Sequence, residues 1–273
     1  MQRNTFQIER ILVAMDASPY SRVALKVAAD LAASLGAEIR GVFVEDTTLL
    51  GLADLPMVSE VHIPSARVRS ISSRTLEQEF RALAREAEGW MATMAQQLGL
   101  SWEFELLRGN IVSELLSVAR SSDLISLGRF GWPIANPPRR MGSIARALVE
   151  QCAVPALLLH QEIQAGQPIL AVFRGIESDG DVLQWTGFLA QHYQSEATIF
   201  LMTEQASLAE RLGEEARALL APWSVPVRFQ PVADEAALLQ AIHALPASQE
   251  SILLSRRYRP IYEKLLCGLL LFP

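Results

Sequence analysis

With 273 residues, half of them hydrophobic and 20% charged, the chain has the material for one large cored domain or two of ordinary size. Its formal net charge of −6 argues against a nucleic-acid backbone as the main partner, because phosphate binding on that scale needs a basic surface. The two cysteines lie outside any CxxC and the four histidines are scattered, which argues against a zinc site or a disulfide framework. The N-terminus shows no apolar signal-peptide core and no run is long enough to span a membrane, so a cytoplasmic protein without a membrane partner is expected.

The first predicted element is a strand, Ile11-Leu12-Val13-Ala14-Met15, wholly apolar as befits a strand buried on both faces of a parallel sheet. It ends at Asp16. Ser18 then offers a helix cap and Pro19 suits the first helical position. Val23, Ala24, Val27, Ala28, Leu31 and Ala32 recur at helical spacing, and Gly36 closes the helix. A strand over 37–44 completes a β-α-β unit. Residues 45–73, with Pro56 and Pro64, read as a long irregular excursion. In it, Leu49-Leu50-Gly51-Leu52 and Leu55 form either a helical turn over a cleft or a variable loop. A helix over 75–98 carries the apolar stripe Leu76, Phe80, Leu83, Ala87, Trp90, Met91 and Met94, which reads as core. A strand over 102–107, the turn Arg108-Gly109-Asn110, a helix over 111–120 and a strand over 124–127 follow.

Next comes a glycine-bearing stretch from Leu127 to Ser143, leading into a helix over 144–149 and a strand over 154–159. A glycine loop between a strand and a helix can cradle an anion. Backbone N–H groups approach closely where there is no Cβ, and the helix N-terminus adds partial positive charge. Five strands thus alternate with four helices over 8–160, which predicts an open, mostly parallel sheet with helices on both faces.

A polar stretch over 161–167 reads as a linker, and the same pattern then starts again. Strands are expected over 168–173, 197–202, 225–229, 251–254 and 269–272. Helices are expected over 179–193, 207–220, 234–244 and 261–266. The predicted fold is therefore α/β, with two tandem open-sheet, mostly parallel, five-stranded Rossmann-like domains over 1–160 and 168–273. Cys152 and Cys267 each precede the last strand of their half and read as equivalent buried positions. The second half lacks the first half's polar signals. Val172-Phe173-Arg174 stands where the first has Ala14-Met15-Asp16, and Leu254-Ser255-Arg256-Arg257-Tyr258 where it has Leu127-Gly128-Arg129-Phe130-Gly131.

On these residues the chain resembles the universal stress protein family in its tandem two-domain form. The likeness is strong over 8–160 and topological over 168–273. It is carried by Ile11-Leu12-Val13-Ala14-Met15-Asp16 with Ser18, by Val42-Phe43-Val44, by Gly109, and by Gly128-x-x-Gly131 with Gly142-Ser143. Ten residues separate Gly131 from Gly142, one more than the Gly-x2-Gly-x9-Gly-(Ser/Thr) pattern of ATP-binding members, and Pro137-Pro138 stiffens the loop. The resemblance implies an adenine nucleotide alpha hydrolase-like fold whose N-terminal domain binds ATP or a related adenine nucleotide, with or without Mg, beside a degenerate C-terminal domain. It implies that Asp16 meets the ribose hydroxyls and that Ala14, Met15 and Val44 border the adenine. Gly128, Gly131, Gly142 and Ser143 would face the phosphates, with Ile144 opening the following helix and Arg139 and Arg140 near enough to neutralise charge.

From the residues alone, Asp16 reads equally as a helix cap, the spaced glycines as a turn, and the two arginines as solvated. Tyr20, His62 and His160 receive no role. The loop has no P-loop lysine and the chain shows no nucleophile triad, so binding is favoured over catalysis. The expected protein is a cytoplasmic, nucleotide-responsive stress and signalling module. A ligand-free scaffold whose pocket is filled or closed by the extra loop residue, Pro137-Pro138 and Trp132 is the alternative, and a slow nucleotidase using Glu45 or Asp46 with a metal is a third reading. The family's pairing through its last strand implies an intrachain pseudo-dimer and leaves a homodimer and a signalling partner open.

Overall fold

A computed structural model describes residues 7–55, 59–62, 67–70, 72–131, 141–245, 251–263, 265 and 267–273. They form two compact α/β units, Gln7–Val154 and Pro155–Pro273.

The first unit contains β1 (Arg10–Met15), α1 (Pro19–Leu35), β2 (Glu38–Asp46), α2 (Thr47–Ala53), β3 (Ser59–His62), β4 (Arg67–Ser70), α3 (Ser73–Leu98), β5 (Trp102–Gly109), α4 (Ile111–Ala119), β6 (Leu124–Gly128) and α5 (Ser143–Gln151). Local chemistry sets the helix limits. The Ser18 side chain accepts a hydrogen bond from the Ser21 N–H, Pro19 opens α1, and Gly36 closes it in the left-handed region at φ 68°. The Ser72 side chain and Gly99 perform the same tasks for α3. Within residues 45–73, read as irregular, the described residues form α2 and the antiparallel pair β3–β4. Ser59-Glu60-Val61-His62 and Arg67-Val68-Arg69-Ser70 each carry a single apolar residue, too few for strand periodicity to register.

Parallel strands in the order β6-β1-β2-β5 make the main sheet of this unit. The steps β1 to β2 and β2 to β5 run in one direction, so right-handed crossovers place α1 and α3 on one face. The step from β5 back to β6 runs the other way and places α4 on the opposite face, where α5 packs against it. Phe43 of β2 meets Phe80 of α3 edge-on, with ring centroids 6.4 Å apart. Strand alternation therefore turns Val42 and Val44 toward the α4 face.

The second unit contains β7 (Ala156–Leu159), β8 (Ile169–Phe173), α6 (Ile176–His192), β9 (Ala197–Met202), α7 (Ala206–Leu220), β10 (Val227–Val232), α8 (Glu235–His243), β11 (Ser251–Ser255), α9 (Arg259–Tyr262) and β12 (Gly268–Phe272). Its strands run in the order β10-β9-β8-β11-β12-β7. All neighbours are parallel except β12 and β7, which are antiparallel. The strand expected to finish the first half, β7, pairs antiparallel with β12. Ala-Leu-Leu-Leu and Gly-Leu-Leu-Leu-Phe are buried along their whole lengths, and pairing them satisfies two apolar backbones at once. The short helix expected over 261–266 lies earlier, at 259–262, behind a 3₁₀ turn over Arg256–Tyr258. Cys152 and Cys267 are buried and not joined in a disulfide.

Candidate functional site

In the first unit the chain leaves β1 toward β2 on one side and returns to β6 on the other. The crevice beyond the carboxyl ends of such strands is where open α/β sheets hold ligands. A cavity of about 360 Å³ opens there, within the usual size range of small-molecule sites. Ala14, Met15, Asp16, Val44, Gly128, Gly131, Gly142, Ser143 and Ile144, the residues singled out from the sequence, all line it.

The turn after β1 serves the fold and the cavity together. Asp16 Oδ1 accepts the Ser18 N–H at 2.9 Å, so the carboxylate shapes the start of α1 while lining the cavity. Between them Ala17 adopts φ 57°, a left-handed conformation unusual for a residue with a Cβ.

The glycines divide by role. A Cβ on Gly128 would stand 2.8 Å from Tyr20 Cβ and 3.1 Å from the Tyr20 carbonyl carbon, so this glycine lets the end of β6 lie against the start of α1. A Cβ on Gly131 would meet nothing within 4 Å among the described residues. Gly142 donates its N–H to the Arg129 carbonyl at 3.0 Å, closing the loop on itself, and its own carbonyl accepts from the Arg146 N–H at 3.0 Å. α5 then begins without a side-chain cap, and its first residues, Ser143, Ile144 and Ala145, line the cavity. Their N–H groups have no acceptor within the helix, which gives this wall partial positive charge and donors suited to an anion.

Arg129 is the lining residue the sequence did not single out. It is 0% exposed, and its guanidinium carbon lies 5.8 Å from the centroid of the Phe130 ring, which in turn meets Tyr20 edge-on at 5.3 Å. Its position between Gly128 and Gly131 was the available signal. Attention to charge in the loop falls instead on Arg139 and Arg140, which lie outside the described residues, as do Trp132, Pro137 and Pro138. Phe80 and Leu83, read as core, also form part of the cavity wall, with Leu49 of α2 beside them.

Glu45 and Asp46 lie within β2 and face different tasks. Glu45 is 4% exposed and sits 3.8 Å from the Arg81 guanidinium and 3.9 Å from that of Arg108. Asp46 Oδ1 accepts the Thr48 N–H at 2.8 Å and so caps α2. Among the described residues, no three His, Cys, Asp or Glu side chains are grouped to hold a metal ion.

The corresponding strand end of the second unit is filled by its own side chains. Arg174 stands at the position of Asp16 and donates to Asp179 through its backbone N–H at 2.9 Å, Nε at 3.0 Å and Nη2 at 2.9 Å. Tyr258, at the position of Gly131, lays its ring 5.4 Å from the Arg174 guanidinium carbon. Asp179 and Tyr258 are both buried, and burial pushes the Tyr258 phenol up to about 12, with Arg174 opposing.

The sequence model of the Universal stress protein family matches residues 7–160, the stretch that carries the cavity. The chain belongs to the universal stress protein family. Solved structures agree on the fold of this universal stress protein along its length. One, a universal stress protein from Archaeoglobus fulgidus DSM 4304, is 16% identical, with 98% of this chain and 97% of that chain covered and a TM-score of 0.71. A second, a putative universal stress protein from Pseudomonas aeruginosa UCBPP-PA14, is 13% identical over 97% of this chain and 93% of that chain, with a TM-score of 0.60. A functionally unknown protein from Pseudomonas aeruginosa PAO1 is 14% identical over 97% and 92%, also with a TM-score of 0.60. No curated protein matches the chain in sequence. No helix among the described residues is long and apolar enough to cross a membrane.

Proposed function

We propose that the first unit binds ATP or a related adenine nucleotide, and that this universal stress protein acts as a nucleotide-responsive interaction module of the cytoplasm. The observation that carries the reading is that the nine residues implied by the family resemblance line one cavity at the strand switch point, beside an uncapped helix start. The ribose lies over Asp16, the phosphates follow Gly131 to the first turn of α5, and the base lies along Val44. The sheet register supports that last placement. β1 pairs with β2 only as far as Met15 with Phe43, whereas β5 continues to Asp46, so the β2 backbone beyond Phe43 has no strand partner on its β1 side. Any Mg enters with the phosphates.

The second unit, with Arg174 and Tyr258 in place, takes no nucleotide in the same pose, giving one nucleotide per chain. The Arg81 and Arg108 guanidiniums beside Glu45 weigh against the nucleotidase reading, because cations there compete with a metal. Isothermal titration with ATP, paired with thermal melting, tests the proposal. Binding to the native state alone at about 100-fold excess over Kd raises stability by about 2.7 kcal/mol. Absence of both heat and a melting shift at millimolar ATP refutes it.

A further inference from the structure

The residues lining the cavity come from both faces of the sheet, and those assigned to the nucleotide belong mostly to one of them. Val44, the glycine loop and the start of α5 belong to the α4–α5 side of the sheet, together with Ile111 and Leu115 of α4. The α3 side is walled by Phe43, Leu49, Phe80 and Leu83. These four side chains carry no hydrogen-bonding group to offer a ribose hydroxyl or a phosphate. Phe43 is 4% exposed, whereas Leu49 is 46% exposed at the rim on α2. Among the described residues this side is apolar at its floor and leaves Leu49 partly exposed, a surface whose burial by a ligand is favourable.

The two sides meet over the strand ends, where Met15, Asp16 and Asp46 line the cavity. A ligand that fills both must carry its apolar part on the portion lying at that junction. Under the nucleotide reading, on which this inference rests, that portion is the ribose over Asp16. A substituent on the terminal phosphate would instead depart beside α5, on the opposite face.

We propose that the α3 side of the cavity takes an apolar alkanoyl or aroyl group esterified to the ribose, so that the preferred ligand is a ribose-acylated adenine nucleotide rather than the unsubstituted one. One ribose hydroxyl remains for Asp16. The apolar group lies between Phe80 and Leu83 and covers the rim at Leu49.

The test titrates the full chain with ATP and with its N-methylanthraniloyl ribose ester, following heat and the ester's fluorescence. The expected result is affinity for the ester at least about tenfold above that for ATP, with enhanced, blue-shifted emission. Leu83→Asn makes the α3 side polar and Leu83→Phe fills it while keeping it apolar. Both are expected to bring the ester down to the affinity of ATP while ATP binding stays within about twofold of wild type, with melting curves recorded alongside. Loss of the preference in both variants distinguishes a filled or polar α3 side from a damaged fold. An ester that binds no better than ATP, or a preference that survives both substitutions, overturns this inference alone. Failure of both ligands to bind overturns it together with the nucleotide reading.

Discussion

Gly128 and Gly131 belong to one sequence motif, and the structure separates them by what an added methyl group would touch. In Gly128→Ala the new Cβ falls 2.8 Å from Tyr20 Cβ and 3.1 Å from the Tyr20 carbonyl carbon. Carbon atoms prefer separations of about 3.5–4.0 Å, so the overlap is close to 1 Å at the first contact. The second contact is backbone at the start of α1, which Ser18 and Pro19 hold in place, so relief requires moving the helix rather than turning a rotamer. Overpacking of this kind costs about 1–3 kcal/mol, and the reduced entropy of the unfolded alanine chain returns about 0.4–1 kcal/mol. A net loss of about 1–2 kcal/mol lowers the melting temperature by roughly 2–8 °C for a protein of this size class. In Gly131→Ala the methyl meets nothing within 4 Å among the described residues and the backbone φ lies outside the left-handed region, so stability holds or rises slightly. The same methyl projects into the space assigned to the ligand and weakens ATP binding. Circular dichroism melts of the two variants, run beside wild type and with urea titrations, provide the comparison. If Gly128→Ala melts within about 1 °C of wild type, or Gly131→Ala falls as far as Gly128→Ala, the division of roles is wrong.

Two further substitutions probe the strand ends of the two units. Ala17→Gly relieves a left-handed alanine at φ 57° and is expected to raise stability by roughly 0.5–1 kcal/mol in urea titrations, since the strain outweighs the added chain entropy. Tyr258→Phe removes a buried hydroxyl that has no hydrogen-bond partner among the described residues, so stability at pH 7 is expected to be unchanged or slightly higher. The same variant changes the alkaline limb. The folded protein keeps the phenol proton up to about 12, whereas an unfolded tyrosine releases it near pH 10. This contribution is complete below about pH 10 and is lost as the pH rises from there toward 12, because the folded state then holds the extra proton. Urea midpoints measured from pH 9 upward should fall more steeply for wild type than for Tyr258→Phe, and parallel curves would remove the buried phenol from the account.

What was legible in the sequence was local. Ser18, Pro19 and Gly36 bound α1 through contacts within a few residues, and the apolar run Ile11–Met15 needs no distant information to read as a buried strand. The candidate site was legible to the extent that its residues sit at strand ends and helix starts. The remainder depended on neighbours far along the chain. Gly128 and Gly131 are the same letter, and only the approach of Tyr20 separates them. The spacing of Phe80 and Leu83 states that one helix face is covered; it does not state that part of the cover is a cavity. Arg129 is buried because of packing around the loop, which charge counting along the sequence cannot register. The polar pair β3–β4 lacks the alternation by which strands are found.

The pairing of β7 with β12 makes the boundary between the two halves a poor place to divide the protein. The strand-and-helix pattern restarts after residue 160, yet the compact second unit begins at Pro155 and includes β7. A fragment starting at 168 would contain β12, five consecutive buried residues, without the strand that pairs along it. Its open backbone would form a flat apolar edge of the kind that recruits further chains. Expressed alone, such a fragment is expected to aggregate or to be rescued by a peptide spanning β7.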